Sequence, residues 1–243
     1  MGQVDEPPTG DGGRWVAFTG TPLSPSIWSG VADRLDGPLW APDTTPTAGR
    51  PDPQREVAER VVARLRSIGG RWSVVGHSFG GQVAIEFALA APDLINRMVL
   101  VGTRDTPFPP FAAAADALDA GHPVDVDGAL ARWLRPAEVE RFPAVVDDLT
   151  AQLETADRAT WATALRGISR FDAADRVAAI TVPVTVLAAE FDPVSTPEAM
   201  AAMAGRIPGS TFTVWPDAAH LSPFLHPERF AALIADPANT RGP

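Results

Sequence analysis

The segment running from Trp72 to Ala90 constrains this chain most. Trp72-Ser-Val-Val-Gly76 is a short apolar run and reads as a buried strand, while Gly80 to Ala90 is apolar over a helical length. Only His77, Ser78 and Phe79 lie between them, so the reversal from strand to helix is sharp. The small residues Gly76, Gly80 and Gly81 fit that need, because a strained turn packed against neighbouring backbone leaves no room for side chains. The spacing is G-x-S-x-G, in the strand–turn–helix setting that the motif requires. Such a turn lifts the serine hydroxyl clear of the sheet and sets a helix N-terminus under developing negative charge. Ser78 is the candidate nucleophile.

The remaining segments supply a sheet for that turn. Trp15 to Thr19 and, more weakly, Leu39 to Ala41 read as strands. Pro53 to Ile68 places Val57, Val61, Val62 and Leu65 at helical spacing and stops at Gly69-Gly70. Arg97 to Gly102 is another strand, so strand, helix and strand form a βαβ unit and imply a parallel sheet with helices on its faces. From Thr103 to about Ala179 strand-like runs give way to helical ones: Phe111–Ala120, Val126–Leu134, Pro136–Ala156 and Arg158–Ser169. That stretch is far longer than an ordinary connection. Strands resume at Val182–Ala189 and Ser210–Trp215, and a last helix covers Pro227–Ala235. The expectation is an α/β fold with a mostly parallel central sheet flanked by helices. Its core covers residues 14–103 and 180–243, with an all-helical cap inserted at 104–179. Residues 1–13, polar and rich in Gly and Pro, read as a flexible N-terminal arm.

Composition narrows the function. With 45% hydrophobic residues the chain can bury a large core, and 20 basic against 30 acidic residues give a net charge of −10. That balance argues against nucleic acid or an anionic membrane as partner. The absence of cysteine excludes disulfides, thiolate metal sites and cysteine nucleophiles. The first residues are acidic and polar, unlike a secretory leader, and no apolar run approaches a membrane span, so a cytoplasmic location is expected. No metal cluster, phosphate-binding loop or dinucleotide fingerprint accompanies the serine motif, so neither metal nor cofactor is expected.

A serine nucleophile needs a base, and the chain has four histidines. His77 abuts Ser78, and the turn is expected to point its side chain away. His122 lies in the helical stretch, and His226 precedes the last helix. His220 lies in the loop after the last strand, at the same sheet end as Ser78, and is the favoured base. The carboxylate that orients it is Asp192, in the loop after Val182–Ala189, with Glu190, Asp217 and Asp105 as alternatives. The chain order Ser78, Asp192, His220 is that of the α/β-hydrolase arrangement.

The chain resembles the α/β-hydrolase superfamily, specifically esterase-like members with a helical cap. The matching pieces are GTPLSPSIW (20–28), VVGHSFGG (74–81), RMVLVG (97–102), VPVTVLAAEFDPVSTP (182–197) and DAAHLSPFLHPERF (217–230). The resemblance implies an oxyanion hole from the N–H groups of Phe79 and Thr21, with Pro22 and Leu23 as positions to which that loop could shift. The family's usual histidine before this glycine is Thr19 here. It implies hydrolysis of a carboxylic ester or lactone of a small to medium, largely apolar substrate, with Leu23, Phe108, Phe111, Trp133, Trp161 and Leu221 as pocket residues. Arg104 is a further candidate, for a substrate carboxylate. Carrier-protein methyl ester hydrolysis, carbon–carbon bond hydrolysis and a ligand-binding receptor without turnover are the other activities this resemblance leaves open.

Overall fold

Seven parallel strands line up side by side: β1 (Gln3–Val4), β2 (Trp15–Phe18), β3 (Leu39–Trp40), β4 (Trp72–His77), β5 (Ile95–Val101), β6 (Val184–Ala189) and β7 (Thr211–Trp215), in the order β1-β3-β2-β4-β5-β6-β7. The structure is a computed structural model and describes residues 2–9 and 13–236. The helices are α1 (Ser29–Ala32), α2 (Pro53–Ile68), α3 (Phe79–Ala90), α4 (Pro110–Asp119), α5 (Val126–Trp133), α6 (Pro136–Arg141), α7 (Pro143–Thr155), α8 (Arg158–Arg170), α9 (Pro197–Arg206), α10 (Ser222–Leu225) and α11 (Pro227–Ala235). Among the described residues no helix is long and apolar enough to cross a membrane.

A parallel sheet covered on both faces needs strands that are apolar on both sides. Every residue of β2, β4 and β6 is buried. Successive side chains separate to the two faces. Val16, Phe18 and Val74 join one core with α2, α3 and α9, whereas Trp15, Ala17 and Val75 join another with α1 and α11. The helices α4 to α8 all fall between β5 and β6. Because every strand runs the same way, the loops after β4, β6 and β7 all leave the sheet at its carboxyl end, which is where open α/β sheets bind ligands.

Three details differ from the sequence reading. Gln3 and Val4 pair with Leu39 and Trp40 at the sheet edge, so this part of the expected flexible arm is a bonded strand. Residues 1 and 10–12 of that arm lie outside the described residues. The single helix expected over Pro136–Ala156 is two helices, broken at Phe142. Pro143 has no N–H to donate and its ring clashes with the preceding turn, so it starts α7 instead of continuing α6. Finally, α9 and the short α1 and α10 were not anticipated.

Candidate active site

Ser78 sits between β4 and α3 at φ 56° and ψ −123°, a left-handed conformation unusual for a residue with a side chain. Its surroundings hold it there. Ser78 N–H donates to the Val101 carbonyl at 3.0 Å, and the Thr103 hydroxyl donates to the Ser78 carbonyl at 2.8 Å. A Cβ on Gly76 would stand 2.6 Å from the Gly80 carbonyl oxygen and 2.8 Å from the Ala84 Cβ. The motif glycines are thus the condition for strand and helix to meet this closely. Phe79 opens α3, and the first N–H groups of a helix have no partner within it.

His220 and Asp192 meet in the loops after β7 and β6. His220 Nδ1 lies 2.5 Å from Asp192 Oδ2, and both residues are buried. The other carboxylate oxygen accepts the N–H groups of Val194 and Ser195, each at 2.9 Å. Burial works to raise the pKa of Asp192. The adjacent His220 and these amides outweigh it and hold the carboxyl below its usual range. An ionised carboxylate only accepts, so Nδ1 carries the shared proton, and Nε2 is the ring's other nitrogen. Gly102, at φ 51°, lets the end of β5 pass beside the pair: a Cβ there would be 3.2 Å from His220 Nδ1.

The other candidates have different partners. Asp105 is fully buried and forms a two-point pair with Arg206, at 2.9 and 2.6 Å. Glu190 accepts the Asp217 N–H at 2.7 Å, and Asp217 pairs with Arg135. His122 is exposed, and His226 packs near Phe142 and Trp215. Arg104 donates to the Val194 carbonyl at 2.9 Å and to Thr106, so its guanidinium braces the Asp192 loop from behind.

His77 has a place that the sequence did not suggest. Its ring is buried 4.5 Å from the His220 ring, centroid to centroid, and edge-on to Phe224. Its Nε2 lies 3.1 Å from the His220 carbonyl oxygen. Burial, with His220 adding to it, pushes the His77 pKa well below its ordinary value, so the ring is neutral. The turn does direct this side chain away from the cavity, but into the underside of the His220 loop. The only sequence signal was its adjacency to Ser78.

Ser78 and His220 open onto one cavity of about 470 Å³, within the usual range for a small-molecule pocket. Thr21, Phe108, Phe111, Trp133 and Trp161 line it too. Leu23 and Leu221, also expected there, do not; they are buried in an apolar cluster with Leu130, Leu134, Leu149 and Leu225. That cluster forms because the helices between β5 and β6 fold back onto the two loops. The Leu221 N–H donates to the Trp133 carbonyl at 2.9 Å, and Arg135 lies over the Phe191 ring. On the other side, Ser24 N–H donates to Gln152 Oε1 of α7 at 2.7 Å. Thr19, where the family usually has histidine, accepts the buried Trp28 indole N–H at 3.1 Å, while its carbonyl accepts from Thr44.

A serine on a strained strand-to-helix turn, a buried imidazole–carboxylate pair and a shared cavity are the components of a hydrolase. The model of the Alpha/beta hydrolase family matches residues 16–233, and the chain belongs to that family. A thermophilic esterase from Thermogutta terrifontis is 26% identical, with a TM-score of 0.77 over 93% of this chain and 89% of that one. An enol-lactonase from Burkholderia xenovorans LB400 shares the fold at 22% identity, with a TM-score of 0.82 over 96% and 93% of the two chains. A pimeloyl-[acyl-carrier protein] methyl ester esterase from Nitrosomonas europaea is 32% identical over 122 residues. That match covers 48% of this chain and 46% of the relative, so it spans about half the length of each.

Proposed function

We propose that the chain is a serine hydrolase that cleaves carboxylic esters, lactones included, of small to medium, largely apolar substrates. His220 Nε2 takes the proton of Ser78 as Oγ attacks the ester carbonyl. Asp192 keeps Nδ1 protonated and stabilises the imidazolium that forms. The N–H groups of Phe79 and Thr21 receive the oxyanion, and their fixed orientation costs no rearrangement during the step. His220 then protonates the departing alcohol, and a water activated by the same nitrogen releases the acyl group. In this reading residues 104–179 act as a cap. Phe108, Phe111, Trp133 and Trp161 form the apolar walls, and the substrate is a small molecule that needs no metal or cofactor.

The observation that carries the proposal is the buried 2.5 Å contact of His220 with Asp192, with Ser78 at its strained turn on the same cavity. The test is hydrolysis of p-nitrophenyl esters, from acetyl to decanoyl, by the wild type and Ser78→Ala. Turnover in the wild type should fall by on the order of 10⁶ in the variant. Activity that survives Ser78→Ala would overturn the assignment. The Nitrosomonas europaea relative supports a second reading, a methyl ester whose acyl chain is held by a carrier protein. Hydrolysis of such a carrier-bound ester, with none of the free esters, selects it.

A further inference from the structure

Among the described residues the cavity has one arginine whose side chain has no partner. On α5 the residues facing the cavity are Asp125 at its N-cap, Ala129, Arg132 and Trp133. These positions are spaced as one face of a helix. On a face turned towards apolar walls the pattern calls for an apolar residue at 132, yet it is arginine. Among the described residues the Arg132 side chain has no hydrogen bond, ion pair or ring contact, whereas those of Arg104, Arg135, Arg166, Arg176 and Arg206 all have carbonyl, hydroxyl or carboxylate partners. The nearest acid on this face, Asp125, is seven residues away, about 10 Å along the helix, and its carboxylate already accepts the Gly128 N–H at 2.9 Å. Nor is Arg132 on a loose element. The next residue, Trp133, accepts the Leu221 N–H, directly after His220. The backbone that carries Arg132 is therefore tied to the loop of His220, at the reacting end of the cavity.

We infer that this site selects esters whose end remote from the scissile carbonyl carries a negative charge, and that Arg132 at the rim receives it. The inference rests on the proposed ester hydrolysis for its substrate class. The apolar walls between take the connecting chain. Arginine suits the task because its planar fork matches a carboxylate. Because Arg132 is exposed, the preference is modest and falls as salt rises.

The test compares methyl esters of straight-chain monocarboxylic acids with monomethyl esters of dicarboxylic acids of equal length, from succinic to sebacic. Binding to Ser78→Ala is measured by calorimetry, and turnover of the wild type by methanol release. The carboxylate-ended series should bind about two- to fivefold more tightly at low salt, the range of an exposed charge pair. The ratio between the series should fall to about one in the Ser78→Ala protein carrying Arg132→Gln, and reverse with Arg132→Glu. Each ratio is taken within one protein, so a general loss of affinity cancels. Equal binding of both series at low salt, or a preference that survives Arg132→Gln, overturns the inference. A binding preference without turnover by the wild type supports Arg132 and overturns ester hydrolysis instead.

Discussion

His77 donates its Nε2–H to the backbone carbonyl of His220 at 3.1 Å. A carbonyl oxygen only accepts, so this bond fixes the His77 tautomer and leaves Nδ1 without a proton. Nδ1 is buried without a hydrogen-bond partner, against Gly20. The residue before the turn serine thus supports the loop that carries the other imidazole. His77→Phe keeps an aromatic ring under His220 but removes the donor. It should lower kcat by about tenfold, the worth of one hydrogen bond, with KM little changed. His77→Gln, whose amide N–H can reach the same carbonyl, should restore most of it. Steady-state kinetics of the two variants separate donation from packing.

The same burial predicts how stability depends on pH. His77 titrates at 6.5 when free and well below that in the fold, chiefly through desolvation. Between those two values the unfolded chain binds the proton and the native protein does not. Stability is therefore full above 6.5 and is lost as pH falls towards the folded value. Thermal midpoints measured from pH 8 to 5 should decline below 6.5, and the decline should be shallower in His77→Gln.

Asp192→Asn retains size but exchanges a carboxylate for an amide. The amide offers no charge to the imidazolium and can settle Nδ1 in the wrong tautomer. Under the proposed mechanism kcat should fall by on the order of 10⁴, with the fold intact by circular dichroism. A loss below tenfold would remove Asp192 from its role.

Gly76→Ala tests the turn itself. The added methyl would fall within 2.8 Å of both Ala84 Cβ and Gly81 Cα, in a region where β4 and α3 cannot separate without moving Ser78. Overpacking of this kind costs about 1–3 kcal/mol. Urea denaturation should show that loss, and activity should fall further than stability, because the displaced element carries the serine.

Arg206→Ala removes the partner of a carboxylate that has no exposure at all. An unpaired buried charge costs more than the pair ever contributed, about 3 kcal/mol or more. Asp105→Asn in the Arg206→Ala background should recover part of that loss, read by the same denaturation experiment.

The sequence anticipated which residues the fold brings to one cavity better than it anticipated the walls of that cavity. The strained turn at Ser78 and the meeting of Asp192 with His220 were legible because all three residues follow strands, and in a parallel sheet those loops share the carboxyl end. Pro53–Ile68 was read to the residue because Pro53 starts it and Gly69 stops it, while Gln3–Val4 was missed because two polar-flanked residues carry no periodicity. Leu23 and Leu221 were placed in the cavity by their nearness in sequence to Thr21 and His220. They turn instead into a leucine cluster supplied by α5, α7 and α10, a meeting of helices that only the tertiary fold creates. His77 escaped for the same reason: its partner is 143 residues away in the chain.

The bond from the Leu221 N–H to the Trp133 carbonyl has a practical consequence for re-engineering. It couples the wall of the cavity to the residue beside His220, so under the proposed mechanism a library that reshapes α5 to admit bulkier compounds will also disturb proton transfer, and variants selected there for range will surrender speed. Trp161 and Leu165, on α8, line the same cavity without a direct bond to either loop of the pair. They are the positions at which breadth and rate can be tuned apart.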